Sequence, residues 1–156
     1  MQLLLLRHAE AEPDPTSDQT RALTEKGRKQ SANIGRFCAE HGIVPEIILS
    51  SPLLRAEETA RIVAHELKLP DRVQIEEFLR PGMTAARALS GLEKYSGKAN
   101  VMLVGHEPDF SNLAGALIGG HSESVHFRKA TLMNVSLQKL KSGAGTVEFL
   151  IPVKCL

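Results

Sequence analysis

The sequence of 156 residues contains no tryptophan and a single tyrosine, so it lacks the aromatic side chains on which single-stranded nucleic acids stack. Its formal net charge is only +1, which gives no general attraction to nucleic acid or to anionic membranes. No apolar run approaches the roughly 20 residues of a membrane-spanning helix. We therefore expect no nucleic-acid or membrane partner, and any anion site must come from a local cluster of residues.

Cysteine is equally scarce. Cys38 and Cys155 stand far apart and form no CxxC pair, which argues against a zinc site and is typical of a reduced chain. The apolar residues 3–6 are too few for the core of a signal peptide, and no basic segment precedes them. These observations predict a cytoplasmic protein without a bound metal.

Short apolar runs alternate with helical patterns along the chain. Strands are predicted at residues 2–6 and within "EIILSS", "RVQIEEF" and "NVMLVGH". Helices are predicted at 24–41, 51–67, 83–95 and 108–119, the second of them capped by Ser51 ahead of Pro52. "TLMNVSLQKL" and "TVEFLIPV" indicate a terminal strand pair. This order predicts an α/β fold, a three-layer αβα sandwich with a mostly parallel sheet, as a single domain over residues 1–156.

Chemically active side chains follow three of the predicted strands. Arg7 and His8 end the first, Ser51 follows another, and His106 follows a third. Ligands of parallel α/β sheets bind outside the carboxyl ends of the strands. We therefore expect these groups to meet at one edge of the sheet, together with Arg55 from the first turns of the next helix.

The residue types at this edge indicate phosphoryl transfer. Two guanidinium groups near helix N termini make a strong site for a dianion. A neutral imidazole is a competent nucleophile toward phosphorus, and a second imidazole, if protonated, stabilises charge on the transferred group. No glycine-rich phosphate loop and no acidic magnesium site are present. The implied chemistry passes through a phosphohistidine and uses no metal or other cofactor.

Less specific interpretations exist for each residue. An isolated histidine like His8 is more often a core residue, and Arg55 has a possible ion-pair partner in Glu58 at i+3. Ser51 is interpreted as a helix cap, because no G-x-S-x-G elbow surrounds it. The acidic residues after the first strand are interpreted as solvated loop charges: Glu10, Glu12, Asp14 and Asp18.

The blocks "LLRHAEA", "RALTEKGRKQ", "SSPLLRAEETA" and "VGHEPDFSNL" resemble the signatures of the histidine phosphatase superfamily, also called phosphoglycerate mutase-like or RHG. Ala9 stands where much of the superfamily has glycine, as in the short phosphohistidine phosphatases of the SixA type. Only residues 79–99 separate "EEF" from "NVMLVGH", which leaves little room for a lid. The resemblance implies a shallow, open site suited to phosphohistidine on a protein surface.

The resemblance also implies roles for individual residues. His8 would be the nucleophile, and Arg7, Arg55 and His106 would bind the transferring phosphoryl group. Arg21 would add a contact at the mouth of the site. Many relatives carry a carboxylate general acid after the third strand, a position occupied here by Glu77 or Glu76.

Three functions follow from these observations. The first is a phosphatase for protein phosphohistidine, and the second is a phosphatase for a small phosphorylated metabolite. The third is a non-catalytic module that binds phosphoproteins, although binding alone would not require His8. A mutase is disfavoured because it needs a lid over a released intermediate.

Overall fold

The computed structural model describes residues 1–13 and 17–156; Asp14, interpreted above as a loop charge, lies outside this part. Within this part of the chain, six strands and four α-helices follow one another in a largely alternating order. Their bounds are β1 Gln2–Arg7, α1 Glu25–Glu40, β2 Ile47–Ser50, α2 Leu54–Glu66, β3 Val73–Ile75, α3 Ala85–Leu92, β4 Asn100–Gly105, α4 Asp109–Ile118, β5 Thr131–Leu137 and β6 Gly145–Pro152.

The strands form one sheet in the order β3-β2-β4-β1-β5-β6. Strands β3, β2, β4 and β1 are mutually parallel, whereas β5 runs antiparallel to β1 and pairs with an antiparallel β6. Helices α1 and α2 pack on one face of the sheet, and α3 and α4 pack on the other. The predicted three-layer sandwich with a mostly parallel sheet is therefore confirmed.

The leucine run of β1 reflects the burial of both faces of the sheet. Leu3 and Leu5 belong to the core under α3 and α4, while Leu4 and Leu6 belong to the core under α1 and α2. Side chains alternate across a strand, so a central strand with two buried faces needs a continuous apolar run. The apolar run ends at Leu6, next to the carboxyl end of β1.

Two helices begin near the carboxyl ends of the parallel strands, and local sequence predicts the start of only one of them correctly. Thr24 caps α1 as predicted, because its hydroxyl accepts a hydrogen bond from the Gly27 amide at 2.9 Å. Gly27 itself packs so closely that a Cβ atom there would lie 1.9 Å from the carbonyl oxygen of Glu10. The prediction that Ser51 caps α2 is wrong, since α2 begins at Leu54 with Leu53 as its N-cap.

In the described ranges 1–13 and 17–156, no helix is both long and apolar enough to cross a membrane.

Candidate active site

The carboxyl ends of β1, β2 and β4 bring the predicted site residues together. Arg7 pairs with Gly105 in the parallel ladder, and the ladder continues past the strand ends. The His8 amide donates to the Gly105 carbonyl at 2.9 Å, and the Ser51 amide donates to the Val104 carbonyl at 3.0 Å. The backbone therefore fixes the positions from which the functional side chains project.

His8 is held with one ring nitrogen committed to the backbone. Its Nδ1 lies 2.7 Å from the Ala9 carbonyl oxygen, and because a carbonyl only accepts, Nδ1 carries the proton. Nε2 then presents a lone pair, toward which Arg55 Nε donates at 3.3 Å. This is the tautomer that a nucleophilic imidazole requires.

Burial lowers the pKa of His8 to about 3, and the positive charges of Arg55 and Arg7 and the nearby His106 also lower it. The bond to the Ala9 carbonyl acts in the opposite direction. At neutral pH the ring is therefore uncharged and its Nε2 lone pair is free of a proton.

His106 faces His8 across the site, with ring centroids 5.2 Å apart. Its Nε2 lies 2.8 Å from the hydroxyl oxygen of Ser51. Burial is the main reason why the pKa of His106 is lowered to about 4. The positive charge of Arg55 also lowers this pKa, whereas the negative charge of Asp18 raises it. The ring is therefore neutral in the unliganded site, so the protonated form considered from the sequence requires an added negative charge such as a phosphoryl group.

The contacts of Ser51 explain why the cap prediction is wrong, because its hydroxyl is hydrogen-bonded to His106. At the start of α2 the same hydroxyl accepts only a long hydrogen bond from the Leu53 amide, at 3.4 Å. A serine before a proline is a common helix-start signal, so its partnership with a histidine 55 residues away could not be read locally.

Arg55 is the most fully engaged side chain of the site. Besides the bond to His8, its Nη1 donates to the Asp18 carbonyl at 2.7 Å and its Nη2 to Asp18 Oδ2 at 3.0 Å. Glu58 is not its partner: that carboxylate accepts from the Leu23 amide and from Arg28. The alternative interpretation of Arg55 as half of a helix-surface ion pair is therefore wrong.

Asp18 links Arg55 to Arg21 and was missed in the sequence. Arg21 Nη1 donates to Asp18 Oδ1 at 3.0 Å, and Arg21 Nε donates to the Glu12 carbonyl at 2.8 Å. Burial raises the pKa of the Asp18 carboxyl, but bonds from Arg21 and Arg55 outweigh burial and hold that pKa below its usual value. The only local signal was the i,i+3 spacing to Arg21, which is common in solvated loops.

Arg7 donates through Nη1 to the Phe127 carbonyl at 2.7 Å, and burial lowers its pKa. Its Nε and the Nδ1 of His106 are buried and have no hydrogen-bond partner among residues 1–13 and 17–156. Buried polar atoms without partners are costly and uncommon in folded proteins, and functional sites are one place where they occur. Two of them in one cluster are typical of a site built to receive polar ligand atoms.

The site is less open than expected from the sequence. His8, Arg55 and His106 are 7%, 5% and 3% exposed, and the carbonyl and carboxylate of Asp18 both lie against Arg55. These three side chains are therefore buried even though no large insertion lies between β3 and β4.

Neither predicted general acid is joined to this cluster. Glu77 is an exposed side chain bonded to Arg80, and that bond lowers its pKa. Glu76 is buried and accepts from Lys94 Nζ at 2.8 Å and from the Tyr95 hydroxyl. Within the described chain, no hydrogen bond or ion pair connects either carboxylate to Arg7, His8, Arg55 or His106.

A different carboxylate lies near Arg7. Glu107 is half-buried and accepts from the Ser111 hydroxyl at 2.9 Å. Burial raises its pKa, although Ser111 and the charge of Arg7 act against the shift.

Among the residues that the structure describes, no group of three or more His, Cys, Asp or Glu side chains is arranged to hold a metal ion. The positive charge of the site is carried by guanidinium groups.

Comparison with known proteins identifies this arrangement. The model of the histidine phosphatase superfamily (branch 1) matches residues 3–83, which carry His8, Arg21 and Arg55. This chain belongs to the histidine phosphatase superfamily. It is 31% identical over 152 residues to the phosphohistidine phosphatase SixA of Escherichia coli (strain K12), with 94% of this chain and 90% of SixA covered. A SixA homolog of Haemophilus influenzae is 33% identical over 141 residues, which cover 85% of each chain.

The solved structures agree with this assignment. The protein histidine phosphatase SixA, complexed with tungstate, superposes with a TM-score of 0.90 at 28% identity and covers 99% of each chain. The fold is therefore phosphoglycerate mutase-like, and the resemblance to short SixA-type members of the superfamily is confirmed.

Proposed function

We propose that this protein is a metal-independent phosphatase that removes phosphate from phosphohistidine on a protein, through a phosphohistidine intermediate on His8. The observation that carries the proposal is the state of His8: a buried, neutral ring with Nδ1 bonded to the Ala9 carbonyl and Nε2 facing the Arg55 guanidinium. The similarity to phosphohistidine phosphatases over most of the chain supports the choice of substrate.

The reaction has two displacements. His8 Nε2 attacks phosphorus, the N–P bond of the substrate breaks, and the leaving imidazole takes up a proton. Water then attacks the phosphoryl group on His8, gives up a proton, and releases inorganic phosphate with the neutral ring restored.

Arg7, Arg55 and His106 bind the phosphoryl oxygens in this proposal. Positioned donors that gain strength as charge spreads over these oxygens lower the barrier of phosphoryl transfer. Binding of a dianion raises the proton affinity of His106, because an opposite charge favours the charged form. Arg21 reaches the same site through Asp18, which supports its predicted place at the mouth.

The general acid stays a prediction. Glu77 takes this role only after its carboxylate leaves Arg80. A phosphoramidate needs less help from an acid than an alkyl phosphate does, so Glu77→Gln is expected to impair hydrolysis of alkyl phosphates more than hydrolysis of phosphohistidine.

A substrate panel tests the function. Purified protein is offered a phosphohistidine peptide, an aryl phosphate and several sugar phosphates in the presence of a chelator, and kcat/KM is measured for each. We expect the phosphohistidine peptide to give the highest value and the chelator to leave it unchanged. A sugar phosphate with the highest kcat/KM would indicate the metabolite phosphatase, and inactivity on every substrate would indicate the binding module.

A further inference from the structure

A groove of about 350 Å³ lies beside the candidate active site, between the end of β1, the start of α1 and the end of the chain. We call it the basic groove, because its lining includes six basic side chains: Arg7, Lys26, His126, Arg128, Lys129 and Lys154. Among the described residues that line it, Glu10 is the only acid.

The charges of the basic groove are largely unbalanced. Lys26 pairs with Glu10 at 2.9 Å, but Arg128, Lys129 and Lys154 are exposed and form no ion pair with any residue of 1–13 or 17–156. The chain as a whole carries a formal charge of only +1, so this is a local concentration.

The surface of α1 and α2 provides a contrast. Basic side chains there are paired within the molecule, as in Arg28 with Glu58 at 2.9 Å and Arg61 with Glu57 at 2.7 Å. Paired charges largely cancel at a distance, whereas a concave surface with unpaired charges of one sign attracts a partner of the other sign. The basic groove is therefore the part of the described surface suited to an acidic partner.

The basic groove is continuous with the phosphoryl site through Arg7. This residue lines the groove and precedes His8 in the chain, and its Nη1 donates to Phe127, which lies between His126 and Arg128. A small phosphorylated molecule bound at the phosphoryl site would not extend into the basic groove. A phosphoryl group on a protein would bring the neighbouring surface of that protein over it.

From this arrangement we infer that the basic groove docks acidic side chains of the protein that carries the phosphohistidine, an inference that rests on the proposed function. Complementary charges at a solvent-exposed surface act mainly on the rate and specificity of encounter, and salt screens them. The groove would select an acidic phosphoprotein without taking part in the chemical step.

The test compares two double variants with the same change in charge. Lys129→Glu/Lys154→Glu alters the groove, and Lys139→Glu/Lys141→Glu alters exposed lysines after β5, at the opposite edge of the sheet. The substrates are a phosphohistidine peptide flanked by glutamates, the same peptide flanked by glutamines, and free phosphohistidine, each at low and high salt.

We expect wild type and the Lys139/Lys141 variant to prefer the acidic peptide over the neutral one by about tenfold in kcat/KM at low salt, mostly through KM. The Lys129/Lys154 variant should lose this preference yet hydrolyse free phosphohistidine at the wild-type rate. High salt should remove the preference in wild type and in the Lys139/Lys141 variant.

Three results would overturn the inference. The first is equal kcat/KM for both peptides in wild type, and the second is a preference that survives in the Lys129/Lys154 variant. The third is inhibition by a single-stranded oligonucleotide at lower concentration than by the unphosphorylated acidic peptide, which would assign the groove to nucleic acid. Failure to hydrolyse any phosphohistidine substrate would instead overturn the proposed function, and this inference with it.

Discussion

The floor of the candidate active site, formed by His8, Ser51 and His106, differs in construction from its rim, formed by Asp18 and Arg21. Floor residues follow three neighbouring strands and are buried. The rim side chains are 59% and 28% exposed and lie in the segment between β1 and α1. Backbone bonds between strand ends fix the floor, whereas ion pairs in contact with water form the rim.

This difference separates two tasks. Burial at the floor keeps the imidazoles neutral and strengthens their interaction with an incoming charge. At the rim, exposed ion pairs contribute little free energy and exchange partners readily. Arg55 belongs to both regions, because it is buried yet bonded to His8 at one end and to Asp18 at the other.

The largest effect is expected at the floor. His8→Ala should abolish turnover because it removes the proposed nucleophile, while the fold survives because His8 lies past the end of β1. His65→Ala, on an exposed position of α2, is the control. Steady-state assays measure turnover, and alkaline quench after labelled substrate detects phosphohistidine, which acid would destroy. Wild-type turnover in His8→Ala would contradict the assignment of the nucleophile.

Arg55 tests the connection between floor and rim. Lysine keeps the charge but not the planar pair of donors, so Arg55→Lys should lower kcat by about a hundredfold, on the order of 3 kcal/mol for one preorganised contact. Glu58→Gln is the control, because Glu58 contacts Leu23 and Arg28 instead. Near-normal kcat in Arg55→Lys, or an equal loss in Glu58→Gln, would refute the proposal that Arg55 binds the phosphoryl oxygens.

The neutral histidines of the floor make the folded protein less stable in acid. The pKa values of His8 and His106 are about 3 and about 4 in the folded state, and about 6.5 in an unfolded chain. The unfolded state therefore binds more protons between these values, and the free energy of unfolding falls as pH drops below about 6.5. From pH 7.5 to 4.5 we expect a loss of roughly 2 to 3 kcal/mol for each histidine.

Urea unfolding at the two pH values measures this effect. The double variant His8→Gln/His106→Gln should lose roughly 5 kcal/mol less than wild type over the same interval, if the two contributions add. An identical loss in both proteins would mean that the buried histidines do not carry the acid sensitivity.

The smallest effect is expected at the rim. Asp18 competes with a phosphoryl group for Arg55, so Asp18→Asn should lower KM several-fold, in line with the small free energies of exposed ion pairs, and leave kcat nearly unchanged. Glu12→Gln removes the same charge from the same segment, but Arg21 uses only the Glu12 carbonyl, so it is the control. A large loss of kcat in Asp18→Asn would show instead that Asp18 orients Arg55 for the reaction.

The floor was largely predictable from the sequence, whereas Asp18 of the rim was not. Apolar runs mark the buried strands, and a parallel sheet brings their carboxyl ends together, so Arg7, His8 and His106 could be grouped from the sequence. Asp18 could not, because its partnership with Arg55 depends on the path of a segment that contains no regular pattern.

The helix cap shows a limit of local rules. The cap assigned to Ser51 followed a local signal, while the actual partner of its hydroxyl, His106, comes from elsewhere in the fold. Local sequence describes which bonds a side chain is able to make, and tertiary contacts decide which of them it makes.

Gly27 bears on how the protein tolerates mutation. The start of α1 presses on the Glu10 carbonyl so closely that even a methyl group at residue 27 would lie 1.9 Å from that oxygen. The Glu10 carbonyl also accepts from the Thr24 amide, and it lies two residues after His8. A side chain at 27 would have to displace either the helix or the segment that leads from His8. In a saturation mutagenesis screen, a glycine that takes no part in the chemistry should therefore be nearly as intolerant of substitution as His8.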